Sequence, residues 1–82
     1  MANKSHRTFS QIVKEIRKVW KNIYFGAEPY LQALSQVHSS DKNAPYLFET
    51  AKDQVVYLLA NMTTFRGEDA RRIKAELKEM IK

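Results

Sequence analysis

The chain has 82 residues, a net charge of +5 at pH 7 and no cysteine. This length is close to the smallest at which one hydrophobic core suffices, so it excludes a multidomain enzyme, and the lack of cysteine excludes a disulfide scaffold. With 44% hydrophobic residues, two glycines and two prolines, the composition is typical of a folded helical domain. We expect residues 1–82 to form a single helical domain, with residues 1–7 as a flexible leader.

No apolar segment approaches the roughly 20 residues that a membrane-spanning helix needs. The run from Val55 to Ala60, for example, is bounded by Gln54 and Asn61. The first residues lead directly into a charged amphipathic segment and lack the apolar stretch of a signal peptide. We therefore expect a cytoplasmic protein with no membrane partner, and the absence of cysteine is compatible with a reducing compartment.

The segment from Phe9 to Tyr24 has an uninterrupted apolar stripe on a helical wheel. At about 100° per residue, eight side chains fall within an arc of roughly 140° that contains nothing polar. They are Phe9, Ile12, Val13, Ile16, Val19, Trp20, Ile23 and Tyr24. Thr8 and Gln11 have the spacing of a capping box, and Gly26 can supply a left-handed stop. These features predict a first helix over residues 9–25 with the stripe buried.

Four cations lie beside this stripe, whereas the acid Glu15 lies on its opposite flank. They are Lys14, Arg17, Lys18 and Lys21. Residues 1–25 carry six cations and one acid, but residues 26–64 carry two cations and four acids. A localised basic patch attracts nucleic acid, anionic lipid or acidic protein, and it can equally be a solvated face without a partner. We identify these four residues as candidate contacts to an anionic partner.

A short second helix is predicted after Pro29, whose backbone φ suits the opening position of a helix. Its apolar face consists of Tyr30, Leu31, Leu34 and Val37. We expect this helix to end near His38. Residues 39–44 follow as a polar connection of ordinary length. Within it, Asp41 and Asn43 are candidate caps for the next helix.

The segment from Pro45 to Asn61 is the most apolar, and we expect it to form the central helix. Its predicted core side is Leu47, Phe48, Ala51, Val55, Leu58, Leu59 and Met62. Its predicted surface side is Tyr46, Thr50, Asp53 and Tyr57. Residues 55–59 could instead be a buried strand, but the residues around them favour helix and no second strand is available for pairing. We therefore expect no β structure.

A turn through residues 63–67 leads into a last helix, expected over residues 68–82. Its narrower stripe is Ala70, Ile73, Leu77, Met80 and Ile81. Thr64 is a candidate cap, and Gly67 relieves a tight bend. A phosphate-binding role for this turn is the alternative. Glu68 and Asp69 argue against it, because they put negative charge where the anion would lie.

These elements predict an all-α fold, a small antiparallel helical bundle of three long helices and one short helix. Five side chains from three of the helices should be buried together. They are Ile16, Trp20, Val55, Leu58 and Leu77.

The residues that carry most enzyme chemistry do not form a recognisable pattern. Nucleophilic catalysis needs a placed base, but His6 lies in the leader and His38 ends the short helix. Two separated histidines without cysteine do not have the spacing of a zinc site. We expect a non-enzymatic protein with no metal or cofactor.

A protein-interaction module is the function that the sequence favours. The aromatic residues are too numerous for so small a core, so some must lie at the surface. Phe25 falls among the cations of the first helix, and Tyr46 and Tyr57 lie on the polar side of the third. Aromatic and basic side chains are enriched at interfaces, so these three are candidate interface residues, unless Phe25 turns inward and the tyrosines only keep their hydroxyls solvated.

Non-specific nucleic-acid binding through the basic face of the first helix is the alternative function. The isoelectric point of about 9.6 is compatible with it. Sequence-specific reading of bases is disfavoured, because the last helix carries acids that would repel phosphate. We expect a macromolecular partner, and protein ranks ahead of nucleic acid.

Overall fold

The computed structural model describes residues 6–82, and within this range the chain is mainly helical. Its α-helices are α1 (Phe9–Val19), α2 (Glu28–Ser35), α3 (Ala51–Ala60) and α4 (Glu68–Met80). A one-turn 3-10 helix (Phe25–Ala27) precedes α2. Two short strands, β1 (Pro45–Tyr46) and β2 (Glu49–Thr50), form an antiparallel hairpin directly before α3. Residues 1–5 of the predicted leader lie outside the described residues.

One hydrophobic cluster joins the four helices. Helix α1 packs against α2 and α4, and α2 packs against α3. The five side chains predicted to be buried together, among them Trp20 and Leu58, all belong to this cluster. The Trp20 ring also stacks on Phe65, with ring centroids 5.0 Å apart. The apolar patterns of the helices therefore located most of the core correctly.

Helix α1 begins as predicted but ends earlier. Thr8 and Gln11 form the capping box, with the Gln11 backbone N–H donating to Thr8 Oγ1 at 3.2 Å. The helix stops at Val19 because Trp20 adopts an extended backbone and its ring stacks on Phe65. The predicted extension to residue 25 is wrong, and residues 21–24 form a turn and an extended stretch instead.

Gly26 is not a left-handed stop, since it lies inside the 3-10 helix. A Cβ atom at this position would lie 2.5 Å from Cε2 of Tyr24 and 2.9 Å from Oδ1 of Asn61. The glycine therefore permits a close approach of side chains to the backbone.

Helix α2 has Pro29 in its first turn, as predicted, and ends at Ser35 instead of near His38. The segment that follows α2 forms two backbone hydrogen bonds with the start of α1. The backbone N–H of Phe9 donates to Ser39 O, and that of Ser10 donates to Val37 O, both at 3.0 Å. These bonds satisfy donors that the first turn of a helix leaves unpaired.

The prediction of an unbroken helix from Pro45 and of no β structure is wrong. Residues 45–50 form the hairpin, in which Pro45 pairs with Thr50 and Tyr46 pairs with Glu49. The turn between the strands consists of Leu47 and Phe48, both of which were predicted to be core residues. They are instead exposed, at 82% and 103% of their reference areas.

Helix α3 begins at Ala51 because its first N–H groups already have partners. The N–H of Ala51 donates to Ala44 O at 2.8 Å, and that of Lys52 donates to Lys42 O at 2.9 Å. The N-cap is Thr50, whose N–H donates to Asp53 Oδ2 at 3.0 Å, so neither Asp41 nor Asn43 caps this helix. The other predicted core residues of this segment are correct: Ala51, Val55 and Leu58 of α3 and Met62 after it are buried, and Leu59 is half-buried.

Helix α4 starts at the predicted residue and buries Ala70, Ile73, Leu77 and Met80. Its N-cap is Gly67, with a φ of 107° that favours glycine, whereas Thr64 makes no capping bond. The described residues thus form a mainly helical fold, which confirms the coarse prediction, but the hairpin and the short helices mean that it is not the predicted all-α bundle of three long helices. Within residues 6–82, no helix is long and apolar enough to cross a membrane.

Candidate functional site

The most exposed apolar side chains of the described residues are Leu47 and Phe48, which we call the apolar tip. Leu47 has a φ of 56°, in the left-handed region that usually requires glycine. This conformation costs an L-residue roughly 1–2 kcal/mol. Because the Leu47 side chain is exposed, packing inside the fold does not offset this cost. Backbone strain and an exposed apolar pair at one turn mark it as a candidate functional site.

A cleft of 390 Å³ lies beside the apolar tip. Helix α2 supplies Pro29, Tyr30 and Ala33 to its lining, while the hairpin supplies Tyr46 and Glu49 in addition to the tip itself. Most of these side chains are apolar or aromatic. The tip is therefore a protrusion flanked by an apolar recess.

Glu49 fixes the hairpin to α3. Its Oε1 accepts a bond from Gln54 Nε2 at 2.6 Å, and its Oε2 accepts one from the Tyr57 hydroxyl at 3.1 Å. The bond to the Glu49 carboxylate raises the pKa of Tyr57, because it favours the protonated phenol. The Tyr57 ring also lies against Tyr30, with centroids 5.4 Å apart. These contacts hold the apolar tip in a defined orientation relative to α2 and α3.

The structure brings two of the three predicted interface aromatics to this region. Tyr46 lines the cleft and is half-buried, and Tyr57 is 40% exposed beside it. Phe25 is 79% exposed, so it does not turn inward, but it contacts Tyr24 and lines no part of this cleft. The sequence reasoning missed the apolar tip, although the Thr50 to Asp53 spacing could have placed the helix start after it.

Three of the four predicted anion contacts lie on α1, and the fourth follows it. Arg17 donates two bonds to Glu28, at 3.0 and 3.1 Å, so its charge is compensated. Lys14 and Lys18 are exposed on α1, whereas Lys21 lies in the turn after it. Among residues 6–82, no carboxylate lies within 4 Å of these three lysines. Their contact with an anionic partner stays a prediction.

Glu15 is the centre of an ion-pair network that joins α1 to α4. Its carboxylate lies 2.6 Å from Arg72 and 2.7 Å from Arg7, and Arg7 also binds Glu76 at 2.6 Å. The bonds from Arg72 and Arg7 lower the pKa of Glu15 to about 2. Arg7, which was predicted to lie in the leader, is thus held by two carboxylates. The network connects helices and contributes no reactive group.

His38 does not suggest a reactive site. His38 is exposed, and its Nδ1 lies 3.1 Å from Ser10 Oγ. Among the described residues, no group of three or more His, Asp or Glu side chains is arranged to hold a metal ion. Comparison with protein-family models, curated proteins and solved structures gives no match to this chain.

Proposed function

We propose that this chain is a non-enzymatic protein-binding module whose apolar tip inserts into an apolar recess of a partner protein. The observation that carries the proposal is the full exposure of Phe48 next to Leu47 at a strained turn. Large apolar patches on small soluble proteins commonly mark interaction surfaces. The hydrogen bonds that Gln54 and Tyr57 donate to Glu49 give the tip the fixed geometry that such an anchor needs.

The energetics favour the tip as an anchor. Burying a leucine or phenylalanine side chain contributes about 1.5–3 kcal/mol relative to leaving it exposed. Because Glu49 already holds the hairpin against α3, little conformational entropy is lost when the tip is bound. Tyr46 and Tyr57 then flank the anchor as amphipathic contacts, a composition typical of binding hot spots.

The alternative of nucleic-acid binding through the α1 face has weaker support. Of its four residues, Arg17 is neutralised by Glu28 and Lys21 lies outside the helix. Two exposed lysines remain on the helix itself. Exposed lysines are the ordinary composition of a solvated surface.

Site-directed photo-crosslinking tests the proposal. A photoreactive phenylalanine analogue replaces Phe48 in the chain expressed in its native host, and a matched chain carries the same analogue in place of exposed Lys18. We expect a discrete covalent adduct with one protein from position 48 and none from position 18. Since the contact is apolar, the yield should change little with salt, unlike a contact to nucleic-acid phosphates.

A second variant tests whether the adduct depends on the Leu47 side chain. Leu47→Ser in the chain that carries the analogue at position 48 should abolish the adduct, because it removes half of the anchor. The same adduct from both positions, or an adduct that survives Leu47→Ser unchanged, would show that the tip does not recognise a protein.

A further inference from the structure

Two further clefts adjoin each other where the end of α1 meets the start of α4. One has a volume of 420 Å³ and is lined by Trp20, Lys21 and Arg66 among others. The other has a volume of 310 Å³, and its lining includes Arg66, Arg71 and Lys74. Both clefts share Phe65 and Arg66. We call the combined recess the cationic trough, and its cations are Lys21, Arg66, Arg71 and Lys74.

The core packing assembles this trough from distant parts of the chain. Trp20 ends α1 and stacks on Phe65, so that Lys21 and Arg66, which follow these two rings in the chain, border the same cleft. Lys74 extends along the other cleft, with its Nζ 5.9 Å from the Phe65 ring centroid. The trough is thus bordered by four cations, and its lining includes the buried rings of Trp20 and Phe65.

The positive charges of the trough are not compensated within the described residues. The ion pairs of the described residues all involve cations outside the trough, namely Arg7, Arg17, Arg72 and Lys82. No aspartate or glutamate of the described residues lines either cleft. Burial lowers the pKa of Lys74, and repulsion from Lys78 and Arg66 adds to the effect. A bound anion would relieve this repulsion.

The acids at the start of α4 do not occupy the trough. Asp69 binds Arg72 at 3.0 Å, and Glu68 is exposed and lines neither cleft. Neither acid therefore lines the trough, and one of the two is paired with an arginine outside it.

We propose that the cationic trough binds the phosphate backbone of a nucleic-acid strand. The cations continue through two adjoining clefts, which suits a polyanion with successive phosphates better than a single phosphate. Arg66 and Arg71 supply guanidinium groups, which can bind a phosphate through two parallel bonds. The trough shares no residue with the apolar tip, so the two proposals are independent.

Binding of a fluorescently labelled oligothymidylate, measured by anisotropy over a range of salt concentrations, tests this proposal. The trough variant is Arg66→Gln, Arg71→Gln and Lys74→Gln. The control variant, Lys14→Gln, Lys18→Gln and Lys52→Gln, removes the same charge from exposed positions outside the trough. We expect the trough variant to lose affinity about tenfold or more and the control to change little. The salt slope should fall by about 2 for three lost contacts to a single strand.

Circular dichroism checks that each variant is folded, and Arg66→Gln with Arg71→Gln, both exposed, replaces the triple variant if it does not fold. Leu47→Ser with Phe48→Ser should leave oligothymidylate binding unchanged, which separates this test from that of the apolar tip. Three results would overturn the proposal: no binding at low salt, equal losses in the trough and control variants, or tighter binding to phosphatidylserine vesicles than to the oligothymidylate.

Discussion

Leu47 is the residue whose conformation conflicts most with its chemistry. Its φ of 56° places the Cβ atom close to the backbone, yet its side chain is 82% exposed and gains little from packing. A glycine would suit the turn geometry better. Leucine at this position therefore lowers the stability of the folded chain relative to glycine.

Replacement of Leu47 measures this cost. Leu47→Gly and Leu47→Ala both remove the exposed side chain, but only glycine removes the Cβ atom. We expect the glycine variant to have the larger free energy of unfolding, by about 0.5–1 kcal/mol after the entropy that glycine adds to the unfolded chain. Urea denaturation gives the comparison. Equal stability of the two variants, or a more stable alanine variant, would show that the turn is unstrained.

The helical elements differ in how well the sequence predicted them. Helix α4 was predicted closely, because Gly67 marks its start and its apolar residues repeat at helical spacing. The hairpin was missed because Leu47 and Phe48 continue the apolar side of α3 on a helical wheel. The bonds from Ala51 and Lys52 to the preceding loop, together with the Thr50 cap, fix the start of α3, and such contacts are not visible in a periodic pattern.

The connection between α1 and α4 depends on Glu15, and this makes it sensitive to acid. The two arginines lower its pKa from an ordinary 4.5 to about 2. A lowered pKa means that the stabilisation is complete above the ordinary value and is lost as the pH falls through about 2. Protonated Glu15 then resembles a glutamine.

Glu15→Gln tests this connection. We expect the variant to be less stable than the unmodified chain by about 1 kcal/mol near neutral pH, a modest value because the arginines are partly solvated. The difference should shrink as the pH falls from about 5 towards 2. Glu68→Gln, at an exposed acid without an ion pair among the described residues, is the control variant. A difference that is constant with pH would contradict the network.

At the scale of the whole molecule, the candidate sites were harder to predict than the core. The core follows from apolar spacing within each helix, so Ile16, Leu58 and Leu77 were identified correctly. The cationic trough requires Trp20 to stack on Phe65, a contact between distant segments that no local pattern encodes. The apolar tip has the same composition as the core, and only its position at a turn distinguishes it.

The proposed function requires that Phe48 contributes to binding and not to the folded core. Phe48→Ala and Leu58→Ala, compared by urea denaturation, test most directly that Phe48 does not contribute to the core, because Phe48 is fully exposed and Leu58 is fully buried. We expect Leu58→Ala to lower the free energy of unfolding by about 2–5 kcal/mol. Phe48→Ala should change it by no more than about 0.5 kcal/mol. A loss of about 3–5 kcal/mol for Phe48→Ala, as for a buried phenylalanine, would contradict the account.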